Sequence, residues 1–268
     1  MAILTKKLKT GGGHWYDANG KACHTQPKAK GDGERSTTLT DARKLKLFPS
    51  VTTILTIFAK LGLEIWKMKE IAKVAFSIPR IKNETEDEFA VRCMVKQAAP
   101  VEEASDFGTR CHDAIEKYFE GEPVPDELYE YVQPAFDWKQ EMGLRFIERE
   151  TILVNKEHGF AGMVDIVCVG KDGEKGVIDW KTRRTVEGRK VTSYDFQIHQ
   201  IAAYAATYWG AEAVENGEVQ GANCYISSTE PGRFDPCGYS PTEIAEAWET
   251  FKAACAIWRA LKKYDPRQ

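Results

Sequence analysis

The sequence predicts an α/β fold, with a mixed central β-sheet flanked by helices and an N-terminal hairpin and helical region ahead of it. Three observations predict this. Apolar residues recur at intervals of three and four up to Tyr118 and again after Ser193, the spacing of a buried helix face. Between Phe146 and Thr182 the period switches to two, as in half-buried strands. A fourth strand then follows only after a helix, so the sheet combines a meander with a helical crossover.

The elements follow in order. GGGHWYDANGKACHT reads as two short strands around an Asn-Gly turn, because both residues tolerate the positive φ of a tight hairpin. A polar loop through PKAKGDGERST comes next. From Ser50, a capping residue behind Pro49, helix is expected to about Phe76, broken near Gly62 and Pro79. Residues 84–118 read as two helices divided near Pro100, with Phe107, Cys111, Ile115 and Tyr118 on one stripe. Strands are expected at about 147–154, 160–169 and 176–182, joined by NKEHG and GKDGEKG. Helix is expected at 193–209, strand at 219–227, and helix at 241–263 with Ala245, Trp248, Phe251, Cys255 and Trp258 on one side.

Composition narrows the class. In 268 residues, a hydrophobic share of 43% and a charged share of 29% are those of a globular protein able to bury a substantial core. No apolar run approaches the roughly 20 residues of a membrane span, and the opening MAILTKKLKTGGG lacks an extended apolar stretch. A cytoplasmic protein with no membrane partner is expected. Seven cysteines, scattered and without a CxxC pair, argue against a disulfide framework. Residues 1–75 carry 14 Lys and Arg against 6 Asp and Glu, a balance of +8, while the remainder is −11. Such a segment suits phosphate neutralisation; the plain alternative is a solvated basic surface.

The chemistry concentrates on the second and third strands. Asp165, in GMVD, sits among Met163, Val164, Ile166 and Val167, where an unpartnered carboxylate is costly. Asp179 and Lys181, in VIDWKT, are two apart, so both side chains are aimed at one sheet face. By themselves they are equally well read as a buried ion pair. His112 falls at the edge of its helix stripe, the position from which an imidazole reaches a cleft, although a core histidine fits the same spacing. Gln200 and Tyr204, four apart, share one side of the helix after the meander.

In that order, GTRCHDAIEKYF, GFAGMVD, VIDWKT and QIHQIAAY resemble the RecB-like branch of the PD-(D/E)xK nucleases. Within the branch they are similar to phage and prophage exonucleases and to the mitochondrial genome maintenance exonuclease, and TTLTDARKLKLFPSVTTIL with KLGLEIWK resembles the phage proteins. The resemblance implies a restriction-endonuclease-like core at 101–268. With a helical part at 49–100 it forms a nuclease domain over 49–268, behind a basic hairpin and loop segment at 1–48. It also implies metal-dependent hydrolysis of DNA, single-stranded or with accessible ends, in phage or prophage recombination, replication or repair inside a bacterial host. A recombination or replication protein is the implied partner.

The resemblance assigns roles residue by residue. His112, Asp165, Asp179 and the backbone carbonyl of Trp180 would hold one or two Mg2+ or Mn2+ ions, and Lys181 would orient or deprotonate the attacking water. Gln200 and Tyr204 match the QxxxY pair near the DNA. Glu150, with Glu148 as competitor, matches an acidic position on the first strand. Arg183, Arg184, Arg189 and Lys190, just beyond the motif, are expected to hold flanking phosphates. The PD dipeptide is absent, Val164 preceding Asp165. No iron-sulfur cluster is expected, since Cys237 and Cys255 stand eighteen apart with no neighbouring CxxC. Cys23-His24 and Cys111-His112 match no common zinc module. A flap- or junction-specific endonuclease, or a DNA-binding protein that keeps the fold without turnover, are the alternatives.

Overall fold

A computed structural model describes residues 13–58, 61–194 and 196–268. Lys6, Lys7 and Lys9 of the basic N-terminal segment lie outside the described residues. Among those described, the chain begins with β1 (Trp15–Tyr16), which turns through Asp17–Lys21, with Gly20 at φ 85°, to a single bridge between Tyr16 and Ala22. The stretch expected as polar loop instead forms a hairpin, β2 (Thr25–Pro27) with β3 (Glu34–Ser36). Gly31 and Gly33 supply the positive φ that closes its turn, and strands this short leave no alternation in the sequence to read.

Next come α1 (Leu39–Leu45), capped by Thr38 and Asp41 in a reciprocal box, β4 (Phe48–Pro49), which pairs with β1, and α2 (Val51–Leu55). Ser50 caps α2 as expected, its hydroxyl accepting from Thr53 N–H at 3.0 Å. Helix resumes in α3 (Leu61–Ser77), so Gly62 lies inside a helix and the break falls earlier.

The long helix α4 (Glu86–Glu120) runs without division through Pro100, where two helices were expected. Proline removes one interior hydrogen bond, a local cost, while the ends are set by a Thr85–Glu88 capping box and a left-handed Gly121. The turn between α3 and α4 is pinned by Arg92, whose Nε and Nη2 donate to the two oxygens of Glu84 at 2.7 and 2.8 Å. α5 (Asp126–Glu141) follows and buries Leu128, Val132, Ala135 and Phe136.

The central sheet contains β5 (Arg145–Asn155), β6 (Phe160–Val169) and β7 (Lys175–Arg183), the expected meander. α6 (Gln197–Tyr208) starts later than expected, because Phe196 takes a left-handed φ of 69°. Together with α7 (Ala211–Glu215) it carries the chain across to β8 (Val219–Ser227), which lies parallel to β7. β9 (Phe234–Tyr239) completes the order β5-β6-β7-β8-β9, every pair but β7–β8 being antiparallel, and α8 (Pro241–Lys262) ends the fold. The protein is therefore α/β, with a mixed five-stranded sheet between helical layers. None of the helices is long and apolar enough to cross a membrane among the described residues.

Each sheet face has its own core. Cys111 and Ile115 of α4 and Val132 and Phe136 of α5 cover Ile166, Cys168, Ile178 and Trp180 on one side. On the other, Ile201 of α6 and Trp248, Phe251 and Trp258 of α8 cover Val164, Val167 and Val177, and Trp15, Leu47 and Val51 join that same core. Tyr118, expected in the buried stripe, is partly exposed but stacks on Phe136.

Candidate active site

The functional residues gather where the sheet opens. β6 and β7 pair from Ile166–Val169 to Lys175–Ile178, and beyond that register no pair joins the two strands. The Asp165 carboxylate takes over there, accepting the Trp180 N–H at 2.8 Å, so a side chain satisfies a backbone donor that the parted ladder leaves free. Asp165 and Asp179 are 8% and 1% exposed, and both lie at this opening. Asp179 is ion-paired with Lys181 and accepts from Asn223 Nδ2 at 2.9 Å. Asn223, fully buried at the matching position of β8, accepts in turn from the Tyr239 hydroxyl at 2.6 Å.

His112 reaches the same place from α4. The helix crosses β7 at Gly108, where a Cβ would stand 2.8 Å from Thr182 Oγ1; no larger residue permits that approach without displacement. One turn later His112 Nε2 lies 3.0 Å from the Trp180 carbonyl and Nδ1 lies 3.9 Å from Asp165 Oδ2. With Nε2–H donating to the carbonyl, Nδ1 keeps its lone pair toward Asp165. Burial lowers the His112 pKa, which favours the neutral, ligating form of the ring.

The charges are tightly set. Burial, and then the neighbouring Asp179, raise the Asp165 carboxyl well above the ordinary carboxylate range. Burial by itself would lower Lys181, but Asp179 and Asp165 outweigh it and hold the ammonium above its ordinary value. Two buried carboxyls thus share one cation, and the second is disfavoured as an anion; a divalent ion would favour its ionised, ligating form. Carboxylate oxygens, a neutral imidazole and the Trp180 carbonyl are a donor set that suits Mn2+ and accepts Mg2+. As the side chains stand, no group of three His, Cys, Asp or Glu is drawn close enough to enclose an ion among the described residues, and Lys181 is the cation beside Asp179.

The remaining predicted residues spread around this centre. Glu150 is exposed on β5, between the pairs Arg149–Ile166 and Thr151–Val164 and so across from Asp165; it has a φ of 42°, rare for a non-glycine residue in a strand. Loss of solvent, and next Glu116, raise its carboxyl. Glu148 instead accepts from the Thr151 hydroxyl at 3.1 Å. Tyr204 is buried with its ring over Gly162, where a Cβ would lie 2.8 Å from the ring, and Gln200 Nε2 is 3.4 Å from its hydroxyl. Arg184, Arg189 and Lys190 are exposed on the loop after β7, whose carbonyls at Val186 and Arg189 are gripped by Arg233. Asn223, Tyr239 and Arg233 were not singled out in the sequence. For Asn223 a signal existed: an amide inside the apolar run of β8 carries the same cost that marked Asp165.

No protein-family model matches this chain, and no curated protein does. Among solved structures the chain is similar to that of SSO0001, with 15% identity and a TM-score of 0.29, over 72% of this chain and 87% of that one. A likeness this slight carries no weight for fold or activity.

Proposed function

We propose that this protein is a metal-dependent DNA exonuclease of the PD-(D/E)xK type, serving phage or prophage DNA recombination, replication or repair in the cytoplasm of a bacterial host. The observation that carries this reading is the convergence of His112, Asp165, Asp179 and Lys181, drawn from α4, β6 and β7, at the parting of two strands. Asp165, Asp179, His112 and the Trp180 carbonyl would hold one or two Mg2+ or Mn2+ ions. A bound ion supplies charge neutralisation at the phosphate and a water acidic enough to attack it. Lys181, paired with Asp179, stands where its ammonium can orient that water and meet the negative charge on the phosphoryl oxygens. Gln200 and the buried Tyr204, whose ring covers Gly162, support β6, and Arg183, Arg184, Arg189 and Lys190 hold the flanking DNA.

The test is incubation of end-labelled single-stranded, blunt and flapped DNA with Mn2+ or Mg2+, followed on a gel. Progressive release from an end is the expected result. Single cuts at flaps or junctions would make the protein a structure-specific endonuclease, and binding without products would make it a non-catalytic DNA-binding protein. A recombination or replication protein as partner is tested by co-purification from the phage-infected host.

A further inference from the structure

The sheet face that bears Asp179 and Lys181 continues past them. Arg183 follows Lys181 by two on β7 and so shares its face; across the parallel ladder the three residues stand beside Asn223, Tyr225 and Ser227. Past the end of the strand the chain loops out and returns at Tyr194, whose ring lies 4.4 Å from the Arg183 guanidinium carbon. The same guanidinium is 5.4 Å from the ring of Tyr225, and its Nη1 donates to the Thr192 carbonyl at 2.9 Å. Gln197 Oε1 accepts both the Tyr194 N–H, at 2.9 Å, and the Tyr225 hydroxyl. The returning loop is therefore tied to the strand beside Lys181.

What this construction presents is an aromatic plate. Tyr225 is buried at its base, whereas Tyr194 is 58% exposed and held from one side by a cation, at the end of a loop on which Arg184, Arg189 and Lys190 are exposed. A large ring fixed in the open has no part in the core. A guanidinium against an exposed ring, on a loop that carries further basic residues, is the kind of surface on which nucleobases stack while their phosphates are neutralised. Two strand residues span about 7 Å, so the plate lies about one nucleotide beyond Lys181.

We infer that Tyr194, backed by Arg183, is a stacking subsite for an unpaired nucleobase next to the phosphodiester cut beside Lys181, which favours an unpaired DNA end over a blunt duplex. The inference rests on the nuclease reading above. A base inside a duplex has both faces covered by its neighbours and must unstack before Tyr194 can take one.

The experiment uses the full chain, with binding measured in EDTA and cleavage in Mn2+. The probes are a short single-stranded oligodeoxynucleotide with 2-aminopurine at one end or the other, the blunt duplex, and a single strand with an abasic end. Tyr194→Ala is expected to weaken single-strand binding about 5- to 150-fold, the span of one base–aromatic stack, and to leave the duplex unchanged. Tyr194→Trp should keep wild-type affinity, and Tyr194→Leu should behave as Ala. The 2-aminopurine fluorescence should be quenched by wild type and not by Tyr194→Ala, and the abasic strand should bind both alike. Equal single-strand affinities for wild type and Tyr194→Ala would overturn the inference, as would equal losses on both DNAs or a Trp variant as weak as Ala. If wild type cleaves while Tyr194→Ala is unchanged, the subsite alone fails. If wild type cuts none of the DNAs yet the Tyr194 effect on binding persists, the nuclease reading alone fails.

Discussion

Asn223 Nδ2 donates to Asp179 Oδ2 at 2.9 Å, with both side chains buried at matching positions of two parallel strands. Lys181 meets the same oxygen, so Asp179 Oδ2 is held between an amide and an ammonium and the carboxylate's rotamer is fixed. Replacing Asn223 by Leu takes one of that oxygen's two partners and leaves the Tyr239 hydroxyl without its acceptor, at a cost of about 1–3 kcal/mol. Denaturant unfolding should show that loss, and kcat should fall with KM little changed, since no contact to DNA is removed. Tyr239→Phe, which frees only Asn223 Oδ1, should follow the same direction with a smaller effect.

Lys181→Ala and Asp179→Ala should abolish cleavage and leave DNA binding largely intact, because the proposed phosphate contacts are spread over the basic loop. The two variants should differ in stability. Lys181→Ala leaves Asp165 and Asp179 facing each other without a cation, a loss of about 3–5 kcal/mol for a broken buried pair. A divalent ion should restore part of it, seen as a rise in Tm on adding Mn2+ to Lys181→Ala.

Mn2+ should support activity at lower concentration than Mg2+, because an imidazole stands among the ligands, and EDTA should stop the reaction. His112→Ala should raise the Mn2+ concentration needed for half-maximal activity. An unchanged Mn2+ titration in that variant would remove His112 from the metal site. His112→Asp, if the shorter side chain reaches, should shift preference toward Mg2+.

Gly162→Ala should destabilise by about 1–3 kcal/mol, because its Cβ would press on the Tyr204 ring. Combined with Tyr204→Ala the cost should be less than additive, the ring having gone. Thermal or denaturant unfolding of the four proteins in this cycle measures the coupling.

Acid should loosen the turn between α3 and α4. The bidentate hydrogen bonds from Arg92 hold the Glu84 carboxyl down at about 2. Its folded pKa lies below the unfolded one, so the bond's contribution is complete above the ordinary carboxylate range and is lost as pH falls toward about 2. Trp66 fluorescence should report that change in wild type and not in Arg92→Gln.

Much of this was legible in the sequence wherever one period ran for several residues. β6 and β8 fall at the expected bounds because their apolar runs end at turn formers, and Asp165, Asp179 and Lys181 announce themselves as polar groups in apolar strands. What was illegible is short or interrupted. β9 contains Pro236 and Gly238, tolerated on an edge strand but destructive of its alternation. Pro100 masks the continuity of α4, since the sequence shows the lost hydrogen bond and not the thirty-four residues around it. The amide of Asn223 inside an apolar strand could be read, but not its partner, which lies 44 residues away in a contact that no local pattern encodes.

The parallel pairing of β7 with β8 also dictates when this centre can exist. During synthesis Asp179 and Lys181 emerge before Asn223, and the strand that carries Asn223 docks only after the α6 crossover has closed. His112, 68 residues ahead of Trp180, must wait as well. A nascent or truncated chain ending before Val219 therefore has both buried aspartates and no finished arrangement of them, and the centre is completed only with about the last fifth of the polypeptide.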